Sequence, residues 1–374
     1  MHAAAEVSAV GDNADDREAL ILTDLLDLLN GGTPFSDILL EEDAPVMVKA
    51  PGGWERADCL GIPNREDLET LLRKIDTNWE ANITERAINR PIDLAGWRLR
   101  VNAYLAFGGT KLMTSIRRLP AAEPTLADTG LPQSVRLMIE NPSGIILISG
   151  ATGSGKSTTQ AALVDCINQA RSNHIITIED PIEYRFRRKK SIFSQREVGV
   201  DCASFFDGVR DAMRQRPDVI VIGEIRDKET AETALLAAES GHLVIGTLHA
   251  NSAPGAIQKL LSWFPGQDRD AKLQTLAASL VGVISQILLP KKDRSGYALA
   301  AELLFNHKQQ YSKLLGDQDK LASSLERKED GISQTMVESL EERVVSGLVA
   351  KADALRAIKG GQAVLYERLK TVAA

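Results

Sequence analysis

The stretch GATGSGKS, Gly150 to Ser157, constrains the fold of this chain more than any other. It fits the pattern GxxxxGK[ST] in the order the pattern needs. The apolar run SGIILISG stands before it, and STTQAALVDCINQA continues it with helical spacing. A loop so placed points backbone N–H groups forward from the start of a helix, and those donors, with the helix dipole, favour an anion such as a phosphate chain. The expected cradle is Gly150, Ala151, Thr152, Gly153, Ser154, Gly155, Lys156, Ser157 and Thr158. Gly153 and Gly155 permit close backbone approach, Lys156 would reach the β- and γ-phosphates, and the Ser157 hydroxyl would coordinate magnesium. ATP and Mg2+ are therefore the expected cofactors.

Around the loop, apolar strands alternate with helical segments. IILIS, HIITIE, VIVIG and HLVIGTL are apolar throughout, as in strands covered by helices on both faces, so the expected fold is α/β with a mostly parallel sheet. LAASLVGVISQILLP is too short for a membrane span and is interrupted by Ser279, Ser285 and Gln286. With Leu276, Leu280, Ile284 and Ile287 at helical spacing it is expected as a buried helix, followed by a mainly helical stretch beyond Pro290. The chain before the loop reads differently. Arg17 to Leu29 has helical periodicity, FSDILLEE, APVMVKA and WERADCL read as short strands, DLETLLRKI as a helix, and WRLRVNAYLAFGGTKLMTSIRRLP as paired strands turning at Gly108 and Gly109.

A chain of 374 residues exceeds what one core usually holds, so two domains are expected. Their bounds are a disordered acidic lead-in over 1–16, an α+β domain over 17–120, a proline-containing linker over 121–135, and the α/β domain over 136–374 with a helical C-terminal part. The opening residues have no basic segment ahead of an apolar run and do not read as a secretory signal. Cys59, Cys166 and Cys202 form no CxxC pair, which fits reduced thiols in the cytoplasm. The net charge of −7 argues against a protein whose main task is to wrap nucleic acid.

In a doubly wound sheet, ligands lie beyond the carboxyl ends of the strands. Glu224 ends DVIVIGE, and Glu179 and Asp180 end HIITIED, so all three are expected to face the nucleotide. Glu224 is the expected residue to position an attacking water and take its proton, and Glu179 is expected to hold magnesium, directly or through water. His249 closes HLVIGTLH at the same end and is expected to sense the γ-phosphate. His242 opens that strand at the other end, where it is either a hydrogen-bonded structural residue or faces a neighbouring subunit.

The motifs GATGSGKSTT, ITIEDPIEY, QREVGVD, RPDVIVIGEIRDKETAETALLAAESGHLVIGTLHANSA and SQILLP together resemble the successive signatures of the type II/IV secretion ATPase superfamily, and the short architecture is similar to its pilus retraction branch. The resemblance is strong from about Ser143 to Pro290 and extends to FSDILLEEDAPVMV, RLRVNAY and SLEERVVSGLVAKADAL. It implies a PAS-like amino-terminal domain, a RecA-like ATPase domain and a homohexamer with ATP sites between domains and between chains. It also implies that Glu179 and Asp180 fall in an Asp box, that Glu224 is the Walker B glutamate, that His242 and His249 lie in a His box, and that Arg98, Arg100 and Arg117 are the candidates to complete the site. The chain departs from the pilus retraction pattern at LAFGGTK, at Val281 and in FNHKQQYSKLL. The expectation is therefore the broader one, an ATPase motor of a type IV pilus or a type IV secretion machine, IVB and conjugative systems included. Its partners would be inner-membrane platform proteins, with the chain cytoplasmic and peripheral to that membrane. Two alternatives stand beside it: a DNA-translocating motor, motivated by the basic and aromatic YRFRRKK, and a nucleotide-bound scaffold with little turnover.

Overall fold

A computed structural model describes residues 23–31, 35–50, 53–57, 61–119, 122–328, 330–358 and 362–372. The expected lead-in over 1–16, the first part of the opening helix, Gly32 and Cys59 lie outside the described residues. The chain divides into two compact units, residues 1–121 and 122–374. No helix among the described residues is long and apolar enough to cross a membrane.

In the first unit, residues 23–30 form helix α1, followed by β1 (Asp37–Glu41), β2 (Met47–Ala50), β3 (Gly53–Arg56), α2 (Arg65–Ile75), α3 (Trp79–Glu85), β4 (Ile88–Leu94), β5 (Trp97–Ala106) and β6 (Lys111–Leu119). The strands form an antiparallel sheet in the order β3-β2-β1-β6-β5-β4. Helix α2 starts at a capping box in which Asn64 and Asp67 satisfy each other's backbone N–H, and it buries Leu68, Leu71 and Leu72. Alternation along β5 does the rest. Leu99, Val101 and Ala103 join those leucines in one core, while Arg98, Arg100 and Asn102 take the opposite face. The turn between β5 and β6 runs through Phe107, Gly108 and Gly109, all with positive φ. Strand β4 was not legible because it contains Pro91; it is the edge strand, where a missing N–H leaves no gap in the ladder.

The second unit opens with α4 (Leu126–Thr129) and α5 (Arg136–Ile139), then β7 (Gly144–Ser149), α6 (Lys156–Ala170), β8 (His174–Glu179), β9 (Ile192–Glu197), α7 (Phe205–Ala212), β10 (Val219–Ile222), α8 (Lys228–Glu239), β11 (Leu243–Leu248), α9 (Ala253–Ser262), α10 (Gly266–Ser279), β12 (Leu280–Pro290) and β13 (Tyr297–Phe305). It ends with α11 (Gln318–Glu326), α12 (Met336–Val345), α13 (Lys351–Ala357) and α14 (Gln362–Arg368). Within the stretch expected as a linker, α4 carries its own capping box, Thr125 with Asp128, and buries Leu126. The sheet order is β13-β12-β7-β11-β10-β8-β9, parallel except for the antiparallel pair of β12 and β13. Apolar cores lie on both faces of it, one built with α7, α8 and α9, the other with α4, α5 and α6.

The expected helix in LAASLVGVISQILLP is corrected. Helix α10 stops at Ser279 and an eleven-residue strand begins, because Val281, Val283, Ile284 and Ile287 are β-branched and the run sits between β7 and β13. The mainly helical reading beyond Pro290 also missed β13, and IFSQRE was not read as β9. Glu302 of β13 is half-buried, and its carboxylate accepts the N–H groups of Ala253 and Met336, the first residues of α9 and α12. Burial pushes its pKa above the ordinary range despite those two bonds.

Candidate active site

The phosphate loop follows β7 and passes into α6 at Gly155, with φ of 153°, 77° and 84° at Gly150, Gly153 and Gly155. These are conformations that side chains with a Cβ rarely adopt. Gly150 is also crowded, since a Cβ there would stand 2.4 Å from Ser154 Oγ and 2.5 Å from Gln286 O. Helix α6 is tied to the sheet beneath it by Gln160, whose Nε2 donates to the carbonyls of Ile222 at 3.0 Å and Ile245 at 3.2 Å. The end of β10 and the middle of β11 are thereby tied to the helix that follows the loop.

Lys156 Nζ donates to the loop carbonyls of Gly150 at 2.9 Å and Ala151 at 3.0 Å and lies 3.5 Å from His249 Nδ1. His249 Nε2 is 3.0 Å from Glu224 Oε1. A neutral ring with its proton on Nε2 satisfies both contacts, accepting from lysine and donating to glutamate. The other oxygen of Glu224 meets Arg226 at 2.7 Å, and Arg226 also reaches Asp180 at 3.6 Å and stacks on Phe205. Burial pulls the Lys156 pKa down, partly offset by Glu224 and Glu183; the bond to Glu224 holds that of Arg226 up. Asp227, the last acid of GEIRD, has a different job. It caps α8 by accepting the N–H of Thr230 at 2.7 Å.

Glu179 stands apart from this chain of charges. Its Oε1 accepts from Thr177 Oγ1 at 2.7 Å and Gln195 Nε2 at 3.3 Å, its Oε2 from the N–H of Glu183 at 3.3 Å, and burial pushes its pKa up. Among the described residues no cluster of three or more His, Cys, Asp or Glu could hold a metal. Magnesium takes one or two protein oxygens and completes its shell with phosphate and water, so such a cluster is no test of it. The oxygens expected for it are the Ser157 hydroxyl, at the start of α6, and the Glu179 carboxyl. Thr158 directs its hydroxyl to Tyr184 at 2.9 Å.

The structure thus brings together Lys156, Glu224, His249 and Asp180 from four segments that were read separately. Arg226, which links two of them, was visible only as a charge after a strand. His242 is half-buried at the far end of β11, with Nδ1 3.0 Å from the carbonyl of Ala237, the contact of a hydrogen-bonded structural residue. In the first unit, Arg100 pairs with Arg117 across β5 and β6, donates to Asn89 at 3.1 Å, and shares its face with Arg98. Arg117 forms an ion pair with Asp37 at 2.7 Å.

The family described as Type II/IV secretion system protein matches residues 111–358. The uncharacterized protein YggR of Escherichia coli (strain K12) is 42% identical over 274 residues, covering 72% of this chain and 82% of that protein. The type IV pilus retractation ATPase PilT of Pseudomonas aeruginosa (strain PAO1) is 34% identical over 325 residues, covering 85% and 93%. The crystal structure of the pilus retraction motor PilT with bound ADP matches with a TM-score of 0.79 at 37% identity, covering 91% of this chain and 98% of that one.

Proposed function

We propose that this chain, which belongs to the type II/IV secretion system protein family and is an ATPase, is the hexameric motor of a type IV pilus or a type IV secretion machine. The observation that carries this reading is the chain of contacts from Lys156 through His249 to Glu224, which joins the phosphate loop to an acid at the end of a nearby strand. In the reaction, loop N–H groups and Lys156 bind the phosphates, and Glu224 accepts the proton of the attacking water. His249 keeps Glu224 in register with the phosphate end, and Arg226 holds the second carboxylate oxygen so that the first faces the reaction. Magnesium, held by Ser157 and through water by Glu179, would neutralise phosphate charge.

In this reading the second unit is RecA-like and the first PAS-like. Arg98, Arg100 and Arg117 supply positive charge to a site completed when subunits close in a ring. The ring works at the cytoplasmic face of the inner membrane, on platform proteins of the machine. The test is steady-state ATP hydrolysis of the full chain against protein concentration, with Glu224→Gln and Lys156→Ala in parallel. Specific activity should rise as rings assemble. Both variants should lose at least about a hundredfold in rate, with Glu224→Gln still binding ATP. A Glu224→Gln variant as fast as the parent would remove Glu224 from the mechanism, and activity independent of concentration would remove the ring.

A further inference from the structure

Gln286 lies in the middle of β12 and is completely buried. Its Nε2 donates to the backbone oxygen of Ser154, inside the phosphate loop, at 2.7 Å, while its Oε1 is buried with no hydrogen-bond partner. An amide buried with one end unsatisfied is less stable there than an apolar side chain of the same length, so packing does not account for it. The donor end does.

The Ser154–Gly155 peptide is trans, and in a planar trans peptide the C=O and the following N–H point in opposite directions. With the Ser154 oxygen facing Gln286 on β12, the Gly155 N–H points away from that strand. Glycine at φ 84° does not fix that orientation by its own sterics, because it has no Cβ to restrict it. The fit around the amide is close: a Cβ on Gly155 would lie 3.4 Å from Gln286 Nε2.

We propose that Gln286 is a positioning residue for nucleotide binding, aiming the Gly155 N–H at the phosphate chain by holding the Ser154 carbonyl. This rests on the nucleotide site proposed above. The experiment is calorimetric titration of Mg–ADP into the full chain, its Gln286→Met variant, which keeps the length without the donor, and its Gln286→Leu variant, alongside melting temperatures without nucleotide. Both folded variants should bind ADP about tenfold more weakly; their melting temperatures reflect two opposed changes, since the unpaired Oε1 is removed and the Ser154 carbonyl loses its donor. A role in packing alone predicts ADP affinity within twofold of the parent, and that result in either folded variant, whatever its melting temperature, overturns the proposal. A parent that does not bind ADP would instead overturn the nucleotide site itself.

Discussion

Glu224 is gripped on both oxygens, by His249 and by Arg226. Removing the grip without removing the acid separates orientation from chemistry: Arg226→Ala should lower kcat by about tenfold and leave KM for ATP within about twofold, as expected when an interaction matters mainly in the transition state. An unchanged kcat would show that His249 suffices. Glu302 gives a second test. Its folded pKa is raised, so the stability its neutral form contributes is complete below the ordinary glutamate value of 4.5 and is lost as pH rises through the raised value. Relative to Glu302→Gln, the parent's urea midpoint should fall as the pH rises above 4.5; a difference that stays constant with pH would overturn the raised pKa. Lys156, Ser157 and Glu224 were legible because a motif fixes their spacing to a strand or helix end. Arg226 and Gln286 were not, since a sequence does not show which neighbour a side chain meets.

At the scale of elements, the strands of the central sheet were legible where they were apolar throughout and bounded by helices. Strand β12 was misread because a fully buried strand and a buried helix share one composition, and four apolar residues happened to fall at helical spacing. Gly282 was the local signal against a helix. In β12 it lies where a Cβ would come 2.6 Å from the Leu304 carbonyl and 2.7 Å from Met138 Cε, so only glycine lets the strand pair with β13 and pack on α5. Gly282→Ala should therefore cost about 1–3 kcal/mol by overpacking, read from urea unfolding of the full chain. A loss below about 0.5 kcal/mol would mean that Met138 simply moves aside.

At the scale of the molecule, the basic loop motivates its own test. Phe186 is stacked on Phe193 at 4.9 Å, and Lys189 is paired with Asp165 at 2.5 Å, so neither the ring nor that charge is held out to a strand of nucleic acid. Single-stranded DNA should leave the ATPase rate within about twofold even at low salt; a larger gain that salt abolishes would restore the translocase reading. The C-terminal helices raise a further point. Beyond β12, Lys291 pairs with Val349 and the N–H of Lys292 bonds to Leu348, while Leu289 packs among Leu340, Val344 and Ala354. From Gln286 to Pro290 the strand covers about 13 Å with no bend or loop between. One unbroken strand therefore touches the phosphate loop through Gln286 and packs with the C-terminal helices through Leu289, so the two regions share a single run of backbone with no loop interposed.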